Sequence, residues 1–315
     1  MDYQCKVCKN KENNTAFTAR EMLHGTRDCF TYIECSHCGC LQIEEVPSNI
    51  ADYYPSNYYS YNIQKTFPQR VESFLLSSII NYRINKKNLL GFFYDKYRSV
   101  YRNRYLYPWL TKDVGSFDSD ILDIGCGNGD LLLKMHQAGF KSLTGVDPYI
   151  SEQINYYGKI TIHKKELYEI TDKFDLIMMH HSFEHMPESS RVLHHLSGML
   201  KSKGTILIRI PVADCYAYRK YGVNWGALDA PRHFFLHTRK SMELLAEKNG
   251  LTISLVLYDS DESQFIVSDF YNKDIPLSSA GSMDKKNLRD YLKEAIQLNK
   301  AEDGDTACFY LKKKE

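Results

Sequence analysis

The chain has 315 residues, which is long enough for one large domain and a smaller one. Its 43% hydrophobic and 25% charged residues are ordinary for a globular protein, and its net charge of +1 gives no global reason to expect nucleic acid or an anionic membrane as a partner. A secretion signal and a membrane-spanning run are not recognisable, and nine cysteines, an odd number, do not suggest a disulfide framework. We therefore expect a cytoplasmic protein without a transmembrane segment.

Two C-x-x-C pairs mark residues 1–46 as a module of their own. The pairs are Cys5 with Cys8 and Cys35 with Cys38. Each pair suits a knuckle in which two thiolates face one ion, and the flanking runs 30–34 and 41–44 alternate as the strands of a hairpin do. A module this small needs such a constraint, so the spacing predicts a zinc ribbon with a closed structural site. A redox pair or unbound thiols are the alternative, and four other side chains could replace a ligand: Cys29, Cys40, His24 and His37.

Residues 47–112 are expected to form a tyrosine-rich linker and a helical cap. Tyrosines crowd the segment 53–61, which either covers a ligand with flat aromatic faces or is a packed linker. From residue 69 to about 112 the apolar residues recur at helical spacing. The second half adds a basic set that would bind a phosphate-bearing substrate, lie on a membrane surface or form a solvated face: Lys96, Arg98, Arg102 and Arg104.

Residues 120–139 have the pattern of a strand, a glycine turn and a helix. A β-branched and leucine run ends near Asp123, and glycines follow at every second position: Gly125, Gly127 and Gly129. Glycine is needed where a Cβ would block the turn or keep a ligand from the backbone, and the helix start offers unbonded N–H groups. Asp147 ends the next apolar stretch, where an acid is placed to accept hydrogen bonds from ribose hydroxyls.

This Asp-x-Gly-x-Gly-x-Gly run, with its downstream acid, resembles motif I and the ribose-binding acid of class I S-adenosylmethionine (SAM) dependent methyltransferases. The resemblance implies an α/β Rossmann-like domain over 113–315, with seven strands in the order 3-2-1-4-5-7-6 and the seventh antiparallel. It also implies SAM as co-substrate, in a pocket lined by Asp123, Gly125, Cys126, Gly127, Asp147, Pro148, Glu166, Leu167 and His180. Another adenine ligand, or a fold that has lost its ligand, is the alternative.

The other strands of this domain are expected at 159–163, 174–179, 205–211, 251–258 and 306–311. A helix is expected after residue 188, with Lys-Ser-Lys-Gly at 201–204 as its stop. The extension 259–303 contains a helical pattern at 284–299, and its sequence indicates no function.

Two histidines are the expected catalytic residues. His181 follows the fourth strand, in a Phe-Asp-Leu-Ile…Glu-His-x-Pro block that resembles the family's strand-four motif and implies a place near the sulfonium or the acceptor. Glu184 and His185 are expected to fix the helix start and the turn there, and a direct chemical role of His185 is the alternative. The stretch 216–237 gathers aromatic and charged residues without helical or strand period, as an acceptor pocket would. We expect His233, in this stretch, to be the general base, and bracing of the loop is its alternative role.

The ribbon, the tyrosine-rich segment, the SAM domain and the Pro-x-His loop together resemble bacterial methyltransferases associated with surface polysaccharide or secondary-metabolite assembly. This resemblance implies a small hydroxylated acceptor, most of all a sugar or nucleotide-sugar, with O-methylation ahead of C-methylation and no stable nucleic-acid partner. Two other hypotheses are an RNA methyltransferase whose ribbon reads RNA, with strongly salt-dependent binding, and a non-catalytic binding protein.

Overall fold

The computed structural model describes residues 3–54, 70–86, 88–101, 108–281 and 284–314. The strands in this part of the chain are β1 Thr15–Arg20, β2 Cys29–Glu34, β3 Leu41–Ile43, β4 Asp120–Ile124, β5 Ser142–Val146, β6 Ile154–Tyr156, β7 Ile160–His163, β8 Phe174–His180, β9 Leu200–Pro211, β10 Phe235–Leu236, β11 Leu251–Tyr258 and β12 Thr306–Lys313. Its helices are α1 Arg70–Asn85, α2 Leu89–Tyr101, α3 Asp130–Ala138, α4 Ser189–Met199, α5 Tyr216–Tyr221, α6 Arg239–Lys248, α7 Ser263–Asn272 and α8 Lys285–Lys300.

Some predictions fall outside these residues. The tyrosine-rich segment from residue 55 to 61 and the side chains of Arg98, Arg102 and Arg104 are not described. Helices α1 and α2 occupy much of the stretch predicted to be helical. Among the described residues, no helix combines the length and the apolar character that a membrane crossing requires.

The N-terminal strands form a four-stranded sheet in the order β1-β2-β3-β10. The predicted hairpin is confirmed, because β2 and β3 pair antiparallel with Glu34 opposite Leu41. Strand β10 adds to the edge of β3, with Phe235 opposite Gln42. The prediction that 216–237 lacks regular structure was wrong, since it contains both α5 and β10. Elements of six and two residues are too short to leave a readable period in the sequence.

The larger sheet has the order β11-β12-β9-β8-β4-β5-β7-β6. Strand β4 pairs parallel with β5 and β8, and β5 pairs parallel with β7. This register places the ends of β4 and β5 side by side, with Ile124 opposite Val146. The expected α/β Rossmann-like sheet is present, and the predicted strand–turn–helix at 120–139 is confirmed by β4 and α3.

The predicted count of seven strands was wrong, because this sheet has eight and its order differs by the added strand β6. A two-residue turn produces it: Tyr157 and Gly158 both have positive φ, 58° and 64°, and the N–H of Lys159 donates to the carbonyl of Tyr156 at 3.0 Å. Strand β6 then pairs antiparallel with β7. Tyrosine rarely adopts positive φ, so Tyr-Gly is a weak sequence signal for a turn that usually takes Asn-Gly.

Strand β9 begins at Leu200, ahead of the predicted start at residue 205, so the expected helix stop 201–204 is part of the strand. Lys201 explains the extension, because its Nζ lies 2.5 Å from Asp120 Oδ2 and 2.8 Å from Asp175 Oδ2. Two acids on neighbouring strands thus pair with this lysine. The strand start was not predicted, because the residues that follow Lys201 are polar and do not continue the apolar run.

The chain divides into two compact units. The first unit comprises the described residues of Met1–Pro55, His181–His194 and Arg209–Phe309, and the second those of Ser56–His180, His195–Ile208 and Tyr310–Glu315. Each has its own core of fully buried side chains, including Tyr32, Leu41 and Trp225 in the first unit and Leu122, Leu132 and Ile162 in the second. The domain bounds predicted at 1–46, 47–112 and 113–315 stay predictions.

Gly129→Ala should destabilise the second unit. Gly129 has φ +80°, and a Cβ there would lie 2.5 Å from Ile162 Cδ1. We expect the free energy of unfolding in urea to fall by about 1–3 kcal/mol. Gly198→Ala is the matched control, because a Cβ on this α4 glycine meets nothing within 4 Å and should stabilise the helix by up to about 1 kcal/mol. Equal stability of the Gly129 variant and the wild type would show that an alanine at this position is not strained.

Candidate functional site

The glycine turn and the acid of the second unit are in direct contact. Gly125 and Gly127 have φ of 71° and 54°, and the N–H of Gly125 donates to the carbonyl of Val146 at 2.8 Å. Asp147 Oδ2 accepts the N–H of Gly127 at 2.9 Å, and Oδ1 accepts the N–H of Tyr149 at the same distance. The structure therefore brings together, at the carboxyl ends of β4 and β5, the two features that the sequence predicted as one pocket.

Two buried acids give this pocket its electrostatic character. Asp123 is 3% exposed, and burial together with the charge of Asp147 raises its pKa to about 8. Burial also raises the pKa of Asp147, although the N–H groups of Tyr149 and Gly127 oppose that shift. Two carboxylates that lie close together repel each other, so this pair favours a ligand that carries a positive charge.

The remaining predicted pocket residues lie in the same unit. Leu167 is buried, Glu166 is exposed and caps a short turn, and Cys126 and Pro148 are half-buried. The ring of His180 packs against Trp109, with centroids 4.5 Å apart. Trp109 was not predicted to pack against His180, because an isolated tryptophan after a helical stretch has no distinctive spacing.

The first unit holds a group that the sequence analysis did not assemble, which we call the Glu–His cluster: Glu184, His185 and His233. One ligand atom from each of its residues lies within 4.8 Å of the other two. His233 Nε2 lies 3.9 Å from Glu184 Oε1 and 3.8 Å from Asp229 Oδ2. The predicted catalytic histidines meet here, because His181 Nδ1 lies 3.5 Å from the same Glu184 oxygen. Glu184 and His233 are far apart in the chain, so no sequence spacing reveals the cluster.

Backbone carbonyls orient the two imidazoles of the cluster. His185 Nδ1 lies 2.7 Å from the carbonyl oxygen of Arg232, and His233 Nδ1 lies 2.8 Å from that of Ala227. A carbonyl only accepts, so we assign the proton to Nδ1 in both rings and the lone pair to Nε2. His233 thus braces its loop through one nitrogen and presents a basic atom with the other.

Glu184 is fully buried, and its surroundings favour its charge. Burial acts to raise its pKa, but the imidazoles of His181, His185 and His233 outweigh burial and lower the pKa to about 2. Burial likewise opposes the charge of Asp229, and Arg232 lowers the pKa of that carboxyl.

Arg232 anchors the loop that carries His233. Its side chain is fully buried, with Nε 3.0 Å from Asp229 Oδ2 and Nη2 3.1 Å from Glu21 Oε1. Glu21 also accepts the backbone N–H groups of His24 and Gly25, each at 2.8 Å. One guanidinium therefore joins the loop to the turn after β1.

Arg232→Met should destabilise the protein by about 3–5 kcal/mol, because it leaves the buried carboxylate of Glu21 and the half-buried carboxylate of Asp229 without their cation. Arg219→Met is the control: Arg219 pairs with Asp303 at 2.6 Å but is 56% exposed, so its loss should change stability by no more than about 1 kcal/mol. Urea denaturation of both variants measures the difference, and equal effects would show that burial does not set the strength of the Arg232 pairs.

The four cysteines of the two C-x-x-C pairs converge as predicted. Their Sγ atoms lie within 4.8 Å of one another, with Cys5 and Cys38 at 3.7 Å and Cys8 and Cys35 at 3.4 Å. Four thiolates bound to one zinc ion at about 2.3 Å would lie about 3.8 Å apart, so the arrangement fits a closed tetrahedral site. The hydrogen bond with Cys38 lowers the pKa of the Cys5 thiol.

Other groups around the quartet act as partners of its sulfur atoms. Gln42 Nε2 donates to Cys5 Sγ at 2.8 Å. Within the described residues, none of the alternative ligands Cys29, Cys40, His24 and His37 belongs to the quartet. Cys40 instead packs beside His237, with Sγ 3.8 Å from Nδ1.

Comparisons with known proteins found relatives that are named as methyltransferases. A Haemophilus ducreyi protein named ubiquinone biosynthesis O-methyltransferase is 30% identical over 31% of this chain and 48% of its own length. A human protein named EEF1A lysine methyltransferase 2 is 37% identical over 22% of this chain and 29% of its own. The chain thus spans about half, or less, of the curated relatives that it matches.

A solved structure described as a SAM-dependent methyltransferase from Archaeoglobus fulgidus superposes with a TM-score of 0.42 at 20% identity, over 70% of this chain and 100% of that one. A family model described as a methyltransferase domain matches residues 94–256, just over half of the chain. The chain therefore belongs to the methyltransferase-domain family, with a SAM-dependent methyltransferase domain within residues 94–256.

Proposed function

We propose that this chain transfers the methyl group of SAM to a hydroxyl group of a small acceptor. The observation that carries the proposal is the pocket at the ends of β4 and β5, where Asp147 accepts the N–H of Gly127 beside the buried Asp123. Hydroxyl groups of a ribose and a cationic methionine part are the ligand chemistry that this pocket fits. A curated relative named as an O-methyltransferase supports transfer to oxygen.

In the proposed pocket, different residues bind different parts of SAM. Asp147 would bind the ribose hydroxyls, Asp123 would orient the amino group, and the bare backbone of the glycine turn would approach the methionine part. Glu166 and Leu167 would border the adenine, and the remaining wall would consist of Cys126, Pro148 and His180. SAM supplies an activated methyl group with its own leaving group, so the protein has to align the acceptor and exclude water, which can supply roughly 7–11 kcal/mol.

His233 is the proposed general base. Its Nε2 would take the hydroxyl proton of the acceptor while the acceptor oxygen forms its bond to the methyl carbon and the carbon–sulfur bond breaks. Glu184 and Asp229, 3.9 Å and 3.8 Å from Nε2, would stabilise the imidazolium that results. His181 would line the acceptor side, because it follows the last residue of β8 directly.

The acceptor that we propose is a sugar, a nucleotide-sugar or a related polysaccharide precursor, with methylation of carbon as the second possibility. The cysteine quartet would hold a structural zinc ion in the module 1–46, and residues 113–315 would form the SAM-binding domain. Reduced thiolates are required for the zinc site, which supports a reducing compartment such as the cytoplasm.

SAM binding should release a proton. Asp123 has a pKa of about 8 in the free protein and must ionise to pair with a cation, so at pH 7 about 0.9 proton should leave on binding. Affinity should accordingly weaken as the pH falls from 8 to 6. Calorimetry in buffers of different ionisation enthalpy measures the proton count.

Asp123→Asn is the matched control, since an amide has no proton to release. Asp147→Ala tests the ribose assignment in the same assay and should abolish SAM binding. Binding to the wild type without proton release would remove the pairing of Asp123 with the cation, and unchanged affinity in Asp147→Ala would remove the ribose assignment.

His233→Ala should lower turnover by about 10²- to 10⁴-fold and leave SAM affinity within about twofold, because a general base acts on the acceptor alone. A panel of nucleotide-sugars with methyl-labelled SAM would first identify an accepted substrate. The exposed His194→Gln serves as control for histidine loss. Equal turnover of the His233 variant and the wild type would assign His233 to bracing only, and a panel without any labelled product would refute the acceptor class.

A further inference from the structure

We propose that the Glu–His cluster binds a divalent first-row transition metal ion, separate from the ion of the cysteine quartet. The cluster offers two imidazoles and one carboxylate, with one ligand atom of each within 4.8 Å of the others. Ligands of one ion at bond lengths of about 2.0–2.2 Å lie roughly 3–3.5 Å apart, so side-chain rotation of about an ångström closes the set.

The imidazoles share one feature with metal ligands, which is a backbone partner for Nδ1. A ligating histidine donates its other ring N–H to a carbonyl or a carboxylate, which fixes the tautomer and the ring orientation. The carbonyls of Arg232 and Ala227 accept from Nδ1 of His185 and His233 in this way. Arg232 is itself buried and held by two carboxylates, so the partner of His185 has a fixed position.

Glu184 provides an independent observation. Both its carboxylate oxygens are buried and make no hydrogen bond in the part of the chain that the structure describes. His181 approaches one oxygen to 3.5 Å, and Asp229, the other nearby acid, is engaged by Arg232. Buried carboxylate oxygens without a hydrogen bond have lone pairs available, and a metal ion is a partner that can use them.

The donor set selects the kind of ion. Two imidazoles with one carboxylate suit zinc, iron(II) and their neighbours, whereas magnesium and calcium prefer oxygen ligands alone. The quartet is a closed set of four sulfur ligands, but the cluster supplies three protein ligands and leaves a position open. An open position beside a metal ion can take a hydroxyl oxygen and lower its pKa.

This use of the open position rests on the proposed function, and it changes the role of His233. With the ion bound, the Nε2 lone pair of His233 would be a ligand and no longer a base, and coordination to the ion would activate the acceptor hydroxyl in its place. Binding of the ion itself depends on neither SAM nor an acceptor, so it can be tested alone.

The test is a cobalt(II) titration of the full chain after mild chelation that leaves zinc in the quartet. We expect one equivalent of Co²⁺ to bind with weak visible d–d bands and without the intense near-ultraviolet thiolate band. Proton NMR should show two exchangeable, paramagnetically shifted imidazole N–H signals, and this readout needs no variant. Glu184→Gln and His233→Gln should each weaken Co²⁺ binding at least tenfold, and His194→Gln should bind as the wild type does.

Several results would overturn the site: no Co²⁺ bound beyond the quartet, a spectrum with the thiolate band, or equal affinity in Glu184→Gln and the wild type. Near-ultraviolet circular dichroism verifies that each variant is folded. Methyl transfer that persists after chelation, without a second metal equivalent, would refute the use of the ion in the reaction and leave the proposed function intact. Metal binding without any methyl transfer would keep the metal site and count against the proposed function.

Discussion

The hydrogen bond from the backbone N–H of Gly127 to the carboxylate of Asp147 is the constraint on which the proposed cofactor pocket depends. It joins the turn after β4 to the end of β5, and it requires a residue that tolerates positive φ and an acid in register. The same contact keeps Asp147 ionisable at a buried position and places its charge beside Asp123. The hydrogen bond between Gly127 and Asp147 therefore affects both the shape of the proposed pocket and its charge.

Buried charge is compensated in the first unit by two different means. Around Arg232, the buried charges have hydrogen-bond partners. The guanidinium donates to two carboxylates, and backbone N–H groups donate to one of these carboxylates. The charged or ionisable neighbours of Glu184 include the imidazoles of His181 and His233, and its oxygens make no hydrogen bonds among the described residues. A satisfied network stabilises a loop, whereas an unsatisfied one marks a place where a ligand or a chemical step completes the structure.

The sequence was most informative where function leaves fixed spacings. The glycine turn with Asp123 and Asp147, the four cysteines and the long buried strands were all predictable, because each follows from backbone conformation, ligand number or a continuous apolar run. Short elements were missed: β6 depends on a tyrosine with positive φ, and β10 is two residues long. The Glu–His cluster was missed for another reason, since it depends on a long-range contact between Glu184 and His233.

Strand β10 makes the ribbon inseparable from the loop that carries His233. The hydroxyl of Tyr32 donates to the carbonyl of His233 at 2.8 Å, and the N–H of Ile43 donates to the carbonyl of Phe234 at 3.0 Å. A chain shortened to begin after the ribbon would leave β10 without its neighbour strand and would uncover the apolar Phe235 and Leu236. The N-terminal hairpin thus fixes the backbone of the loop that carries His233, so a change in the hairpin would also move this loop.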